Sequence, residues 1–259
     1  MSAVLVEQRE HVLVIVLNRP EAMNSVNAEV STGVGEALER AEADPEIRAV
    51  VLTGAGERAF CAGADLKALS RGESILAPGH EDWNLAGYVR HAISKPTIAA
   101  VNGFALGGGT ELVLASDLAV AAETATFGLP EVARGLFAAA GGAFRLPEQL
   151  PRKVAMEMIL TGEPITAARA LELGLINRVV PAAEVLEAAL ALAGRIADNA
   201  PLAVQASKRV ALGILDGKLA DDAAWDQSNR EIMAVAVTED MREGAIAFAQ
   251  KRKPNWQAR

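Results

Sequence analysis

Residues 102–117 read NGFALGGGTELVLASD. The apolar run TIAAV (97–101) precedes them and DLAVAAE (117–123) closes and follows them. Short unbroken apolar runs of this kind suit strands buried on both faces, and ELVLAS, between the glycines and Asp117, carries helical spacing. A strand, a glycine turn, a helix and a second buried strand make a parallel α/β unit with a right-handed crossover. Two features of the stretch are costly. The consecutive glycines Gly107, Gly108 and Gly109 weaken any element they enter, and Glu111 sets a carboxylate against a core. A structural turn would account for the glycines alone; a bound group at the helix start would account for both features.

The rest of the chain extends the pattern in both directions. VLVEQ and VLVIVLN, either side of a polar REH, predict a β-hairpin at the start. NRPEAMNS is a turn, with Asn24 and Ser25 as candidate caps for a helix over 27–43 on whose apolar stripe lie Val30, Val34, Ala37, Leu38 and Ala41. AVVLTG (49–54) is a buried strand, and GAGERAFCAGADLKAL is a loop entering a short helix. SRGESILAPGHEDWN (70–84) predicts a mobile loop, followed by a helix around 85–94 that ends before Pro96. TATFG (124–128) is a short strand. From Pro147 onward helices dominate: KVAMEMIL, TAARALELG, 182–198 and 202–215, interrupted by a strand-like INRVV (176–180). The fold class is α/β, with a mixed front and a helical tail.

Composition narrows the function classes. With 259 residues and 51% hydrophobic content the chain can bury a full core, and a mean hydropathy of +0.20 suggests apolar surface shared between subunits. A net charge of −8 and a pI near 5.1 argue against nucleic acid as a partner. The N-terminal segment is broken by Glu7, Arg9 and Glu10, and no run reaches the ~18 apolar residues of a membrane span. One cysteine, Cys61, permits no internal disulfide and fits a reducing, cytoplasmic compartment. His11, His80 and His91 lie in unrelated contexts, so no metal site is expected. Taken alone, KRK (251–253) is a solvated helix end.

The glycine run itself excludes two familiar devices. No lysine follows it as a P-loop requires, and its spacing is not that of a dinucleotide turn. A second loop of small residues, AFCAGADLK (59–67), likewise leads into a helix. Two such loops can offer two backbone N–H groups to one oxygen, the device that stabilises negative charge building on a carbonyl. FGLPEVARG then adds Glu131, twenty residues beyond Glu111. Two carboxyl groups in one apolar pocket are driven to different protonation states, one acid and one base.

GADLK, NGFALGGGTEL and FGLPEVARG, in this order and spacing, resemble the enoyl-CoA hydratase/isomerase (crotonase) family. The likeness runs from LNRPEAMNS through GEPITAARALELGLINRVV to AIAFAQKRKPNW. It implies a spiral of ββα turns over residues 1–195 that holds an acyl-CoA site. It also implies a C-terminal helical region, 196–259, that covers the site and builds a homotrimer or a dimer of trimers. By the same resemblance, the N–H groups of Ala64 and Gly108 form the oxyanion hole and Glu111 and Glu131 are the catalytic pair. Ala62, Ala64, Asp65, Leu66, Lys67, Gly107 and Lys251 contact the CoA thioester, Lys251 at its phosphates. Trp83 and Tyr88 line the acyl pocket or pack in the core.

The reaction so implied is syn addition of water to a 2-trans-enoyl-CoA, giving a 3-hydroxyacyl-CoA. It needs neither metal nor resident cofactor, since coenzyme A belongs to the substrate, and it places the protein in fatty-acid or lipid metabolism. Keeping both glutamates favours hydration or dehydration over double-bond isomerisation or catalytically silent acyl-CoA binding. GLFAAAGGAF (135–144) lacks the aspartate of the dienoyl-isomerase and dehalogenase branches, and carries Ala138 where hydratases commonly have proline. LPEQLPRKVAMEMILTG and EGAIAFAQKRKPNWQAR look like the carnitinyl-CoA dehydratase branch, which acts on a 3-hydroxyacyl-CoA with a cationic head group.

Overall fold

A computed structural model describes residues 2–259. Its first elements are β1 (Val4–Arg9), β2 (Val12–Leu17), α1 (Ala28–Ala43), β3 (Ala49–Gly54), β4 (Ala59–Cys61) and α2 (Leu66–Ser70). Next come β5 (Thr97–Val101), β6 (Phe104–Leu106), α3 (Gly108–Ala115), β7 (Leu118–Ala122) and β8 (Thr126–Gly128). The chain closes with α4 (Gly142–Gln149), α5 (Arg152–Thr161), β9 (Ile165–Thr166), α6 (Ala167–Glu172), β10 (Arg178–Val180) and α7 (Val185–Ala197), then α8 (Pro201–Leu212), α9 (Asp222–Ala236) and α10 (Glu239–Ala249).

Two sheets result, ordered β1-β2-β3-β5-β7-β10 and β4-β6-β8-β9. Three times in succession the chain leaves the larger sheet and enters the smaller: β3 to β4, β5 to β6, β7 to β8. Each pass repeats a ββ step, and the pairings β2–β3–β5–β7–β10 and β4–β6–β8 are all parallel. This is the expected spiral. β3 and β5 are buried throughout, as parallel strands covered on both faces must be, with α7 packed on the larger sheet. Among the described residues no helix is long and apolar enough to cross a membrane.

Several expectations are corrected. The α1 cap is Asn27, whose side chain accepts from the Val30 N–H; Asn24 instead donates to Ala55 O and Ala59 O. The helix expected over 85–94 is a single 3-10 turn, Leu85–Gly87, with Ala86 at φ +60°. Gly87 presses on α1 so closely that a Cβ there would lie 2.1 Å from Ser31 O. Leu85, Tyr88 and Val89 are nonetheless buried, so their helix-like spacing reflects packing rather than helical backbone. Loop 70–84 contains a 3-10 turn, Glu81–Trp83, whose indole is stacked between His80 and His91.

Candidate active site

Each of the three glycines faces a different neighbour. A Cβ on Gly107, which has φ +56°, would sit 2.7 Å from Oε1 of Glu131. One on Gly108 would meet Leu85 Cδ2 at 2.5 Å and Gly63 Cα at 3.0 Å, and one on Gly109 would meet the Cys61 carbonyl oxygen at 2.0 Å. Bare backbone thus lets α3 start against the 61–64 loop and leaves room for a carboxylate. Thr110 fastens this start, donating its hydroxyl to Ala105 O (2.6 Å) and accepting from the Gly128 N–H (3.0 Å).

The two anticipated loops therefore meet. Gly108 is the first residue of α3, where an N–H has no acceptor within the helix. In the 62–65 loop, Gly63 O and the Asp65 N–H both bond Val26 at 2.8 Å, so the Ala64 N–H is directed away from Val26. Neither the Ala64 nor the Gly108 N–H bonds any group among the described residues. Ala62, Leu66 and Lys67 are exposed at the mouth of this loop.

Glu111 lies one turn into α3 and is 3% exposed; its Oε1 accepts from the Gly142 N–H at the start of α4 (2.9 Å). Glu131 stands on the 3-10 turn Pro130–Arg134, and its Oε2 is buried with no hydrogen-bond partner. Burial raises the pKa of both carboxyls, and the charge of Glu131 pushes that of Glu111 up further.

Other expected site residues stand differently. Asp65 is buried, and both its oxygens are engaged inside the protein: Oδ1 accepts from the Lys67 and Ala68 N–H groups and Oδ2 from Arg19 at 2.8 Å. Burial opposes its ionisation, but the Arg19 hydrogen bond, with Ala68, the Arg19 charge and Lys67, holds its carboxyl below the usual range. Lys251 is exposed in the turn after α10, at φ +53°, while Arg252 is tied to Glu243 and Asn255 N–H caps the same carboxylate. Tyr88 is buried, its hydroxyl 2.8 Å from Ser116 Oγ, and it packs with the core. Cys61 is buried and its thiol is pushed up to about 12 by desolvation, which leaves it inert.

Two residues carry weight that the sequence reading gave them no part in. Arg145, buried on α4, donates to Val89 O (2.7 Å) and pairs with Asp221 (3.1 Å), tying the segment that contacts Glu111 to the start of α9. Arg19 joins the NRPEAMNS turn to the 62–65 loop. An arginine in a polar turn carries no signal for such a role. A cleft of about 1160 Å³, lined in part by Ser116, Asp117, Gln149 and Lys208, opens at the far end of α3 and includes neither glutamate.

Comparison with known proteins gives one answer. Residues 7–259 match the family described as enoyl-CoA hydratase/isomerase. The chain is 41% identical over 257 residues to a carnitinyl-CoA dehydratase of Proteus mirabilis (strain HI4320), covering 97% of each chain. It is also 41% identical over 260 residues to a 2,3-dehydroadipyl-CoA hydratase of Escherichia coli (strain K12), covering 100% of each. Among solved structures, a carnitinyl-CoA hydratase from Mycobacterium avium superposes over 100% of both chains with a TM-score of 0.99 and 60% identity.

Proposed function

The chain belongs to the enoyl-CoA hydratase/isomerase family, and from that premise we propose that it adds water reversibly across the 2,3-double bond of an enoyl-CoA. One observation carries the reading: the buried carboxyl of Glu111 and that of half-buried Glu131, whose Oε2 is buried and unpaired, stand beside the meeting point of two loops with unengaged N–H groups. The thioester oxygen accepts from the Ala64 and Gly108 N–H groups, drawing electron density from C3 and stabilising the enolate as it forms. Glu111 and Glu131 hold the water; its hydroxyl goes to C3, Glu131 gives its proton to C2 on the same face, and the water's other proton passes to the carboxylate pair, which restores the starting protonation. Every atom added comes from water, so no resident cofactor or metal is needed. Dehydration is the same path reversed.

The presence of two carboxyls, Glu111 held by the Gly142 N–H and Glu131 in the room that bare Gly107 leaves, supports hydro-lyase chemistry over isomerisation, which needs a single proton shuttle. Relatives named for carnitinyl-CoA, as dehydratase or hydratase, favour an acyl group with a cationic head, beside one named for 2,3-dehydroadipyl-CoA. Lys251 is read as a cation for the CoA phosphates, with Ala62, Leu66 and Lys67 along the pantetheine. The assembly is read as a trimer or a dimer of trimers, in the cytoplasm. Loss of the conjugated-thioester absorbance of crotonyl-CoA on adding the enzyme tests the reaction. Longer acyl chains, dehydroadipyl-CoA and carnitinyl-CoA then rank substrates by kcat/KM. Double-bond migration without hydration would replace the hydratase reading with the isomerase one.

A further inference from the structure

The turn at 18–26 bonds the oxyanion loop on both sides of Ala64. Met23 O accepts from the Ala62 N–H (3.0 Å), the Val26 N–H donates to Gly63 O (2.8 Å), and Val26 O accepts from the Asp65 N–H (2.8 Å). Asn24 Nδ2 holds Ala59 O at 2.8 Å on the same stretch. The C=O and N–H of one planar trans peptide group point in opposite directions. With Gly63 O fixed on the Val26 N–H, the Ala64 N–H of the same peptide group aims the other way, on the side where Gly63 meets the start of α3.

The turn itself is a strained object. Met23 and Asn24 are consecutive non-glycine residues in the left-handed region, at φ +55° and +54°. Such backbone persists only when its surroundings over-determine it. Arg19 supplies that constraint. Its Nη1 donates to Ser25 O (2.6 Å), closing the turn on itself, and its Nη2 donates to Asp65 Oδ2 (2.8 Å), closing the turn on the loop. Both side chains of the ion pair are largely buried. Asp65 is thereby shared between this clamp and the cap of α2.

We propose that the Arg19–Asp65 ion pair is a positioning device for the oxyanion hole, setting the direction of the Ala64 N–H by locking the 18–26 turn to the 62–65 loop. The inference rests on the reading that Ala64 and Gly108 receive the thioester oxygen. Loss of the clamp lets the donor swing while leaving the glutamates in place. The effect falls on the transition state, where charge on that oxygen is greatest, more than on substrate binding.

The test uses the full chain with Arg19→Gln, Arg19→Lys and Asp65→Asn. The asparagine variant retains Oδ1 as the α2 cap, so it removes the ion pair without the helix start, and thermal unfolding checks each variant. Turnover of crotonyl-CoA is read beside the absorption of a bound aryl-enoyl-CoA, whose band moves to the red as its carbonyl is polarised. Arg19→Gln and Asp65→Asn are expected to lower kcat by about tenfold to 10²-fold, the range of a misplaced or lost oxyanion donor, with KM within about threefold. The red shift shrinks in parallel, Arg19→Lys recovers part of both, and the double variant is no worse than the worse single one.

Wild-type kcat and a full red shift in both single variants would overturn the proposal. So would a rise in KM with kcat intact, which would return Asp65 to direct contact with the coenzyme. Absence of any shift in the wild-type protein would instead remove the oxyanion reading, and this inference with it.

Discussion

Glu111 and Glu131 occupy places where ionisation is opposed, and that opposition acts on stability as well as on catalysis. A carboxyl whose pKa is raised by folding contributes stability below its unfolded pKa and loses it as pH climbs through the folded one. Both carboxyls are raised by burial, so the folded protein should lose stability between the ordinary carboxyl range and neutrality or just above. Glu111→Gln and Glu131→Gln keep the shape and remove the titration. Each is expected to lower kcat by ~10² or more while raising the melting temperature more at pH 8 than at pH 5. Wild-type turnover would sink the catalytic assignment, and a melting shift independent of pH would sink the electrostatic one. At this scale the sequence was informative where chemistry conflicts with surroundings, as with Glu111 in an apolar helix behind glycines. It was silent where the residue type suits its surroundings. Arg19 in a polar turn and Asp65 at a helix start both look solvated, and only the approach of the 18–26 turn to the 62–65 loop gives them a shared task.

Among the C-terminal helices, α10 lies across the turn that carries Glu131. A Cβ on Gly244 would meet Arg134 O at 2.2 Å, one on Gly135 would meet Asp240 O at 2.5 Å, and the Arg134 guanidinium lies over the Phe248 ring. Gly244→Ala should gain about 1 kcal/mol of helix propensity at this unstrained position. The contact reverses the sign: we expect a net loss of about 1–3 kcal/mol by overpacking, with kcat reduced as the Glu131 turn shifts. Denaturant unfolding beside steady-state kinetics checks this, and a more stable, fully active variant would show that α10 is not in register with the turn. Apolar runs identified β3, β5 and β7 because burial on both faces leaves an unbroken pattern. The strands of the smaller sheet were harder to see. β4 and β6 span three residues each, too few for any period, and exist because their neighbours in the spiral pair with them. α9 is hard to see in sequence because its first ten residues, DAAWDQSNRE, are mostly polar, with Trp225 and Ser228 the helix's buried residues in the single chain.

Over the whole molecule, apolar surface is concentrated on the helical tail. Leu202 is 77% exposed, Val210 84%, Leu215 76%, Met233 73% and Val237 73%. Isolated exposed leucines need no explanation, but a concentration of this size on successive helices marks a surface that another chain covers. Light scattering at micromolar concentration should report a trimer or hexamer, and Leu202→Glu with Val210→Glu should shift it toward monomer; a wild-type monomer would refute the assembly. The α10 contact with the Glu131 turn gives this surface a further consequence. α10, with Ile246 49% and Phe248 48% exposed, belongs to the same tail and packs on the Glu131 turn, so each subunit's competence becomes a matter of mass action. Specific activity would then fall on dilution before any unfolding is detectable, and the enzyme would in effect report its own concentration.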